Sequence, residues 1–330
     1  MKVTVLGSGS WGTALTVLLA RHGHDVTLVG RNPEEIGSIR ACRENLRYLP
    51  GFILPSEVGF ALVGEEPSEA GLIVVAVPSG AVRDMIRAHS LPGVPIVVSS
   101  KGLEVGTSLT MHQVVADVAP EAEAGVLSGP NLAVEIVRGV PTVAISAFKG
   151  RATAEKVQSA FNSATFRVSV SDDVMGIELG GALKNVLAIG AGMSDGLGFG
   201  DNTKGAFLSR GLMEMARLGV AMGGRMETFL GPAGVGDLFV TANSRLSRNY
   251  RIGEALGSGH SLHDALQEIV QVAEGVPTSE ATQVLARQYG VEMPVFAAVE
   301  GVIRGVIRPA QAVAMLMDRA PKMNDFLGEG

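Results

Sequence analysis

Cysteine is nearly missing from this chain of 330 residues, which has a single one, Cys42. One thiol cannot form an intramolecular disulfide, and no cysteine–histidine grouping has metal-site spacing, so we expect no metal and a reducing, cytoplasmic location. Aromatic residues are also few, with one tryptophan and three tyrosines, and the net charge is −6 without a dense run of lysine and arginine. We therefore expect no nucleic-acid interface, which needs clustered positive charge.

Long uninterrupted apolar runs are missing as well, since none approaches the roughly 20 residues that a transmembrane helix needs. The first residues lead directly into a strand pattern, without the charged and then apolar leader of an exported protein. We therefore expect a soluble protein that is neither exported nor inserted in a membrane.

Apolar and small residues are abundant: 46% of the chain is hydrophobic and 43 residues are glycine. Because 330 residues exceed what one core usually serves, two domains are expected. Up to about Ser171, short β-branched runs alternate with helix-length segments, which is typical of buried strands in a doubly wound parallel sheet. These runs are KVTVLG, DVTLVG, GLIVVAVP, PIVVSS, AGVLSG, TVAIS and FRVSV.

The second half has a different pattern. From Val174 onward the β-branched runs stop, and alanine, leucine, methionine, glutamate and arginine recur at helical spacing, as in AFLSRGLMEMARLGVAMGG. The sequence therefore predicts an α/β Rossmann-type domain with a doubly wound sheet over residues 1–173, followed by an all-α domain over residues 174–330.

Gly7, Gly9 and Gly12 form a G-x-G-x-x-G pattern directly after the first strand and at the start of a helix. In that context the first glycine makes the turn, the second lets the backbone approach a pyrophosphate, and the third lets the helix pack on the strand. A second strand, DVTLV, follows at the expected distance. The complete pattern favours a dinucleotide site over a merely glycine-rich turn.

Arg31 follows the second strand, where sites that prefer NAD usually have an acidic residue for the ribose 2′-hydroxyl. An arginine there can pair with a 2′-phosphate, which somewhat favours NADPH over NADH. The alternative is a solvated loop arginine, which carries no information about the cofactor.

Lys101 follows a predicted buried strand in IVVSSKGLE, and ligands of doubly wound sheets collect beyond the carboxyl ends of the strands. The segment VLSGPNLAVEI repeats this arrangement, with a tight turn through Gly129 and Asn131 before a helix whose free N–H groups could hold an anion or a carbonyl oxygen. On the sequence alone, the commoner role for Asn131 is that of an N-cap.

Lys184 and Asn185 interrupt the apolar run GIELGGALKNVLAIGAGMSDG, where a buried ammonium is costly unless it is paired or used. At about 100° per residue, this pair lies on a narrow helix face whose other members are small: Gly181, Ala188 and Gly192. Such a face leaves room for a ligand. The alternative is close helix packing with the lysine reaching out to solvent, and the geometry leaves the two interpretations even.

Chemistry slightly favours the ligand-facing interpretation. An enzyme that interconverts an alcohol and a ketone needs a group that exchanges a proton with the oxygen, and burial lowers the pKa of a lysine toward the working range. Asp237, in GPAGVGDLFVT, could orient such a lysine, although GDL is also an ordinary helix start. Ser247, Arg248 and Asn249 together suit a phosphate, and their alternative is a solvated helix start.

Seven segments are shared, in this order, with a known family: GSGSWGTAL, NLRYLPG, SSKGLE, LSGPNLAVEI, GGALKNVLAIGAGMSDGLGFGDNTKGAFLSRG, FLGPAGVGDLFVTANSRLSRNYRIG and VAEGVPT. The chain thereby resembles the bacterial NAD(P)-dependent glycerol-3-phosphate dehydrogenases. The resemblance implies reversible NAD(P)H-dependent reduction of dihydroxyacetone phosphate to sn-glycerol 3-phosphate, which supplies glycerophospholipid synthesis. It also implies a helical substrate-binding domain like the C-terminal domain of 6-phosphogluconate dehydrogenase.

The resemblance further implies roles for individual residues, with Lys184 matching the family's catalytic, proton-exchanging lysine. The positions that match substrate contacts are Lys101, Gly129, Asn131, Lys184, Asp237, Ser247, Arg248 and Asn249. The positions that match the cofactor site are Gly7, Gly9, Ser10, Trp11, Gly12, Arg31, Asn32, Tyr48, Lys101, Ala133, Arg248, Val272 and Glu274.

Two departures from the family pattern affect these expectations. Asn131-Leu132 stands where many relatives have serine-phenylalanine, and we expect a changed contact, because an amide still donates and accepts hydrogen bonds. Arg31-Asn32 stands where relatives often have two basic residues, which weakens the expected preference for NADPH. The apolar helical half favours a homodimer.

Two other functions stay open at this point. A dehydrogenase of the same two-domain plan that acts on a 3-hydroxyacid or on 6-phosphogluconate would also place a lysine–asparagine pair on a helix, although the LSRN block favours a small phosphorylated ketone. A non-catalytic NADP-binding sensor would bind the cofactor without turnover, and it leaves Lys184, Asp237 and Arg248 unexplained.

Overall fold

The computed structural model describes residues 1–65, 69–89, 93–269 and 272–318. The strands within these ranges are Lys2–Leu6 (β1), Asp25–Gly30 (β2), Glu44–Asn45 (β3), Leu49–Ile53 (β4), Gly59–Leu62 (β5), Leu72–Val75 (β6), Ile96–Val98 (β7), Ala124–Ser128 (β8), Thr142–Ala147 (β9) and Phe166–Ser171 (β10).

The helices in the same ranges are Ser10–Arg21 (α1), Pro33–Cys42 (α2), Val82–Arg87 (α3), Met111–Val118 (α4), Ala133–Val137 (α5), Arg151–Phe161 (α6), Val174–Gly196 (α7), Asp201–Ala221 (α8), Met226–Phe229 (α9), Asp237–Asn243 (α10), Arg248–Gly257 (α11), Leu262–Gln267 (α12), Gly275–Tyr289 (α13), Pro294–Ile303 (α14) and Pro309–Met317 (α15). A 3₁₀ turn, Ser79–Ala81, precedes α3, and a π-helical turn, Pro232–Gly236, precedes α10.

The chain forms two compact units. The first comprises Met1–Lys101 and Leu109–Val174, and the second comprises Gly102–Ser108 and Met175–Gly330. The expected division into domains 1–173 and 174–330 stays a prediction.

The first unit contains an eight-stranded sheet in the order β10-β9-β8-β7-β6-β1-β2-β5. All seven β-branched runs form strands of this sheet, which confirms the Rossmann-type architecture. The expectation of a wholly parallel sheet is wrong at one place, because β8 and β9 pair antiparallel. The helix between them, α5, has five residues and spans about 7.5 Å, which is too short to carry the chain back along a strand of about 17 Å.

The second unit is helical as expected, since the described residues after β10 contain no strand. Its central element, α7, is long and apolar enough to cross a membrane by length and composition, but 94% of the qualifying window is buried inside the protein. Leu179, Leu183 and Leu187 on this helix are fully buried in the core of the unit. We therefore interpret α7 as a core helix.

Helices α7 and α11 touch through their backbones. A Cβ atom added at Gly192 would lie 2.1 Å from the Tyr250 carbonyl oxygen, and one added at Gly253 would lie 1.8 Å from the Ile189 carbonyl oxygen. The small face of α7 is thus partly a helix-packing surface, as the alternative interpretation of that face proposed.

We expect Gly192→Ala to destabilise the protein by roughly 1–3 kcal/mol, because the added methyl group meets a backbone atom that only a helix shift can move. The matched control is Gly205→Ala in α8, where an added Cβ meets nothing within 4 Å and helix propensity should stabilise by about 0.5–1 kcal/mol. Urea midpoints of both variants measure this, and an unchanged midpoint for Gly192→Ala would contradict the close packing.

Candidate functional site

The loop between β1 and α1 has three glycines with three different surroundings. A Cβ atom would lie 2.6 Å from the Ala76 carbonyl oxygen at Gly7 and 1.9 Å from the Gly7 carbonyl oxygen at Gly12. At Gly9 it would meet nothing within 4 Å. Crowding therefore requires the first and third glycines, whereas the second leaves its side of the backbone open beside the first N–H groups of α1, which begins at Ser10. The residues present fit a bound pyrophosphate.

Asn45 holds this loop in place, and sequence analysis missed it. Its side chain is 1% exposed, and its Nδ2 donates to the Ser8 carbonyl oxygen and to Thr13 Oγ1, both at 2.8 Å. Its Oδ1 accepts a hydrogen bond from the Tyr48 backbone N–H at 3.1 Å. The NLRYLPG segment carried the family resemblance, but nothing in its local pattern shows that its asparagine bonds to residues about 30 positions away.

Two aromatic cofactor candidates flank the loop. Trp11 packs against the core of the sheet unit, and its indole Nε1 is buried with no hydrogen-bond partner among the described residues. Tyr48 is half-buried, and the guanidinium of Arg47 lies 5.1 Å from the centre of its ring. The indole N–H is thus a buried donor on the residue next to Ser10.

The carboxyl end of β2 carries both basic and acidic groups. Arg31 is exposed, and Asn32 caps α2 by accepting hydrogen bonds from two of its backbone N–H groups. Glu35, which sequence analysis also missed, accepts a hydrogen bond from Ser8 Oγ at 2.9 Å and lies 3.8 Å from Arg47. An acidic residue is therefore present at this end of the sheet, four positions after Arg31.

Lys101, Gly129 and Asn131 come together at the ends of β7 and β8. Lys101 Nζ donates to the Gly129 carbonyl oxygen at 2.8 Å, and a Cβ atom at Gly129 would lie 2.7 Å from the Val143 carbonyl oxygen. The N-cap role for Asn131 is wrong: Leu132 precedes α5, because the Asn131 amide turns toward β9 and donates to Val143 O at 2.9 Å. Its Oδ1 is buried without a hydrogen-bond partner among the described residues.

Lys184 lies in the core of the second unit and is only 6% exposed. Its Nζ donates to Asp237 Oδ1 at 2.9 Å and to Thr241 Oγ1 at 2.5 Å. The alternative in which the lysine reaches solvent is therefore wrong, and the expected pairing with Asp237 is present. Thr241, one helical turn after Asp237, was missed because its role depends on a contact between two helices.

Glycine brings these helices close enough for the pair to form. A Cβ atom at Gly180, one turn before Lys184, would lie 2.6 Å from the Ala233 carbonyl oxygen in the π-helical turn. That turn leads directly into α10, whose first residue is Asp237. Because both charges are desolvated, removing one partner alone costs about 3–5 kcal/mol.

Asn185 and Asn249 join three helices. Asn249 Nδ2 donates to Asn185 Oδ1 at 2.9 Å, and Asn249 Oδ1 accepts from the Gly275 backbone N–H, at the start of α13, at 3.0 Å. The Asn185 side chain therefore connects α7 to α11, and the same amide pair fixes the start of α13.

The residues predicted to bind phosphate lie at the start of α11. Ser247 is the N-cap, accepting a hydrogen bond from the Tyr250 N–H at 3.2 Å. Arg248 Nη1 donates to the Val272 carbonyl oxygen at 2.6 Å. Burial lowers the pKa of the Arg248 guanidinium and the nearby Glu274 carboxylate partly offsets this, but an arginine remains charged at neutral pH.

Asp195 ties the start of α11 to two other helices. Tyr250 donates its hydroxyl hydrogen to Asp195 Oδ2 at 2.6 Å, and Lys204 Nζ donates to the same oxygen at 2.7 Å. Burial, followed by the hydrogen bond to Asp195, raises the pKa of Tyr250 to about 12. The neutral phenol is thus the form that the fold holds.

Within the described ranges, no group of three or more histidine, cysteine, aspartate or glutamate side chains could hold a metal ion. The candidate groups that the structure does describe are the glycine loop in the first unit, and a buried lysine with a basic helix start in the second.

Comparison with known proteins gives a consistent result over nearly the whole chain. Residues 2–154 match the family model of the NAD-dependent glycerol-3-phosphate dehydrogenase N-terminus, and residues 173–314 match that of the C-terminus. A relative from Desulfitobacterium hafniense named glycerol-3-phosphate dehydrogenase [NAD(P)+] is 46% identical, covering 97% of this chain and 92% of its own. One of the same name from Bacillus mycoides is 45% identical, covering 97% and 96%.

Solved structures agree. The crystal structure of a glycerol-3-phosphate dehydrogenase from Coxiella burnetii superimposes with a TM-score of 0.91 at 35% identity, covering 96% of this chain and 99% of that one. A glycerol-3-phosphate dehydrogenase from Saccharomyces cerevisiae gives a TM-score of 0.81 at 26% identity, covering 96% and 99%.

We expect Tyr250→Phe to lower the stability of the protein most at and below pH 10 and progressively less above it. The pKa of Tyr250 is raised from 10.0 to about 12, so its contribution is fully present below the unfolded value and is lost as the pH rises through the folded value. Urea midpoints of both proteins at pH 8, 10 and 11 measure the gap. Tyr289→Phe, at an exposed position, is the control, and a pH-independent gap for Tyr250→Phe would contradict the prediction.

Proposed function

The chain belongs to the NAD-dependent glycerol-3-phosphate dehydrogenase family, and we propose that Lys184 exchanges the proton of its reaction. That reaction is the reversible NAD(P)H-dependent reduction of dihydroxyacetone phosphate to sn-glycerol 3-phosphate. The observation that carries the proposal is a buried ammonium held 2.9 Å from the Asp237 carboxylate inside an apolar helical core. Family membership removes the 3-hydroxyacid and 6-phosphogluconate alternatives.

Each member of the lysine group has a distinct task in this proposal. Bound NAD(P)H supplies the hydride to the carbonyl carbon of the substrate. As the carbonyl oxygen gains negative charge, the Lys184 ammonium donates a proton to it, and in the reverse direction the amine takes that proton back. Asp237 and Thr241 hold the Lys184 Nζ atom in one position throughout, which lowers the cost of aligning it with the reacting oxygen.

Arg248 is the proposed phosphate ligand. Its guanidinium stays charged and stands at the start of α11, where the backbone N–H groups also favour an anion. Ser247 and Asn249 flank it and complete the proposed group. The proposed substrate contacts in the first unit are Lys101, Gly129 and Asn131, of which Asn131 offers a buried carbonyl oxygen that has no hydrogen-bond partner in the described part of the chain.

The proposed cofactor site starts from the glycine loop, because the open side of Gly9 and the N–H groups of α1 suit a pyrophosphate. The further proposed members are Ser10, Trp11, Arg31, Asn32, Tyr48, Lys101, Ala133, Arg248, Val272 and Glu274. The exposed Arg31 supports some preference for NADPH.

The proposal extends to the setting of the enzyme. We propose a cytoplasmic homodimer whose product supplies the glycerol backbone of phospholipids. Support comes from the single, exposed and unpaired thiol of Cys42, which suits a reducing compartment, and from the apolar character of the helical unit.

We expect Lys184→Ala to lower kcat by roughly 10²- to 10⁴-fold or more while NADPH still binds, because the variant lacks the proton donor but keeps the glycine loop. Since this change removes the opposite charge from beside the buried Asp237 carboxylate, the double variant Lys184→Met/Asp237→Asn serves as a neutral control for folding. Turnover is followed at 340 nm, and unchanged turnover in either folded variant would remove Lys184 from the mechanism.

We expect Arg248→Ala to raise KM for dihydroxyacetone phosphate by roughly 10- to 100-fold, because a charge-assisted contact with phosphate is lost. The matched control is Arg251→Ala, an exposed arginine on the same helix, which should leave KM within about twofold. At saturating NADPH, unphosphorylated dihydroxyacetone should be a poor substrate for the wild type and should lose nothing further in Arg248→Ala. An unaltered KM for the phosphate ester would exclude the assignment.

A further inference from the structure

The carboxyl end of β2 is where dinucleotide folds read the ribose, through a residue about 20 positions after the glycine motif. The sequence places Arg31 at this end, but the structure adds Glu35 in the first turn of α2. We propose that Glu35 sets the relative affinity for NADH and NADPH. Its carboxylate accepts a hydrogen bond from the ribose 2′-hydroxyl of NADH and repels the 2′-phosphate of NADPH. The inference rests on the proposed cofactor site.

The Glu35 carboxylate is hydrogen-bonded to the glycine loop. Ser8 lies between the first two glycines of the motif, and its Oγ donates to Glu35 Oε1 at 2.9 Å. A Cβ atom at Gly30, the last residue of β2, would lie 2.8 Å from Ser8 Oγ and 2.6 Å from Ile36 Cδ1. Gly30 therefore lets the Ser8 and Ile36 side chains approach the end of β2 closely, and a larger residue there would displace them.

Two further hydrogen bonds hold the backbones of Ser8 and Glu35. Asn45 Nδ2 donates to the Ser8 carbonyl oxygen at 2.8 Å, and Asn32 Oδ1 accepts from the Glu35 backbone N–H at 3.2 Å. The Glu35 carboxylate thus has a defined position relative to the backbone that faces the pyrophosphate.

The negative charge of the Glu35 carboxylate determines whether it favours the ribose of NADH or the phosphorylated ribose of NADPH. The Glu35 side chain is 15% exposed, and the Nη1 atom of Arg47 lies 3.8 Å from its Oε2, longer than a hydrogen bond. An ionised carboxylate only accepts hydrogen bonds, so it fits a hydroxyl, which donates, and opposes a phosphate, which brings further negative charge. Arg31 acts in the opposite direction, which gives a site that accepts both cofactors.

The simpler role for Glu35 is that of a brace for Ser8, and Glu35→Gln separates the two roles. The glutamine amide oxygen still accepts the Ser8 hydrogen bond, so a brace is preserved, whereas the charge is removed. The matched control is Glu34→Gln, an exposed carboxylate in the same helical turn.

The experiment measures Kd for NADH and for NADPH by calorimetry, with the fluorescence of Trp11, the single tryptophan, as a second readout. We expect Glu35→Gln to shift the ratio of the two Kd values toward NADPH by about tenfold, and Glu34→Gln to shift it by less than about twofold. A shift toward NADPH of about fivefold or more in Glu35→Gln alone supports the proposal. A smaller shift, a shift toward NADH, or an equal shift in Glu34→Gln overturns it.

The same measurements keep this inference distinct from the proposed function. If the wild type binds neither cofactor, the cofactor site itself is wrong and the proposal for Glu35 falls with it. If the wild type binds both and the ratio does not move, the cofactor site stands and only the role of Glu35 is overturned.

Discussion

The contact between Lys184 and Asp237 is the constraint on which the second unit depends. Two opposite charges are removed from water inside a core of leucine and alanine, and such a pair is tolerated only when its geometry is good and its other hydrogen bonds are made. Thr241 supplies one of these bonds, and the glycine at position 180 lets the two helices approach. The chemistry and the packing of this unit therefore share the same atoms.

Close packing at small residues, combined with polar contacts to neighbouring helices, recurs along the length of α7. Close backbone approach at Gly180 positions the lysine partner, the amide of Asn185 joins α11, and close approach at Gly192 brings in α11 again about two turns further on. A small residue on this helix therefore has a packing role. It sets the distance at which a neighbouring helix can present its polar groups.

Sequence patterns predicted what depends on local periodicity and on strong motifs. The seven strands, the helical second half and the glycine loop are of this kind. The approach of Asp237 to Lys184 was instead proposed from the chemistry that a buried lysine requires. The sequence did not predict three residues whose partners lie in other elements: Asn45, Glu35 and Thr241. An asparagine in a two-residue strand, for example, has no periodic pattern around it. The amide of Asn131 was assigned to the nearest helix, whereas the structure pairs it with a neighbouring strand, and no local rule distinguishes the two outcomes.

The path of the chain between the two units has a practical consequence. Residues 102–108 group with the helical unit, and Leu103 is fully buried in its core, although the residues on both sides of that segment belong to the sheet unit. The polypeptide therefore passes between the units three times, not once. Cutting the chain at residue 174 would leave Leu103 on one fragment and the helices that bury it on the other. Neither fragment would then contain a complete core, which matters for the design of chimeric enzymes.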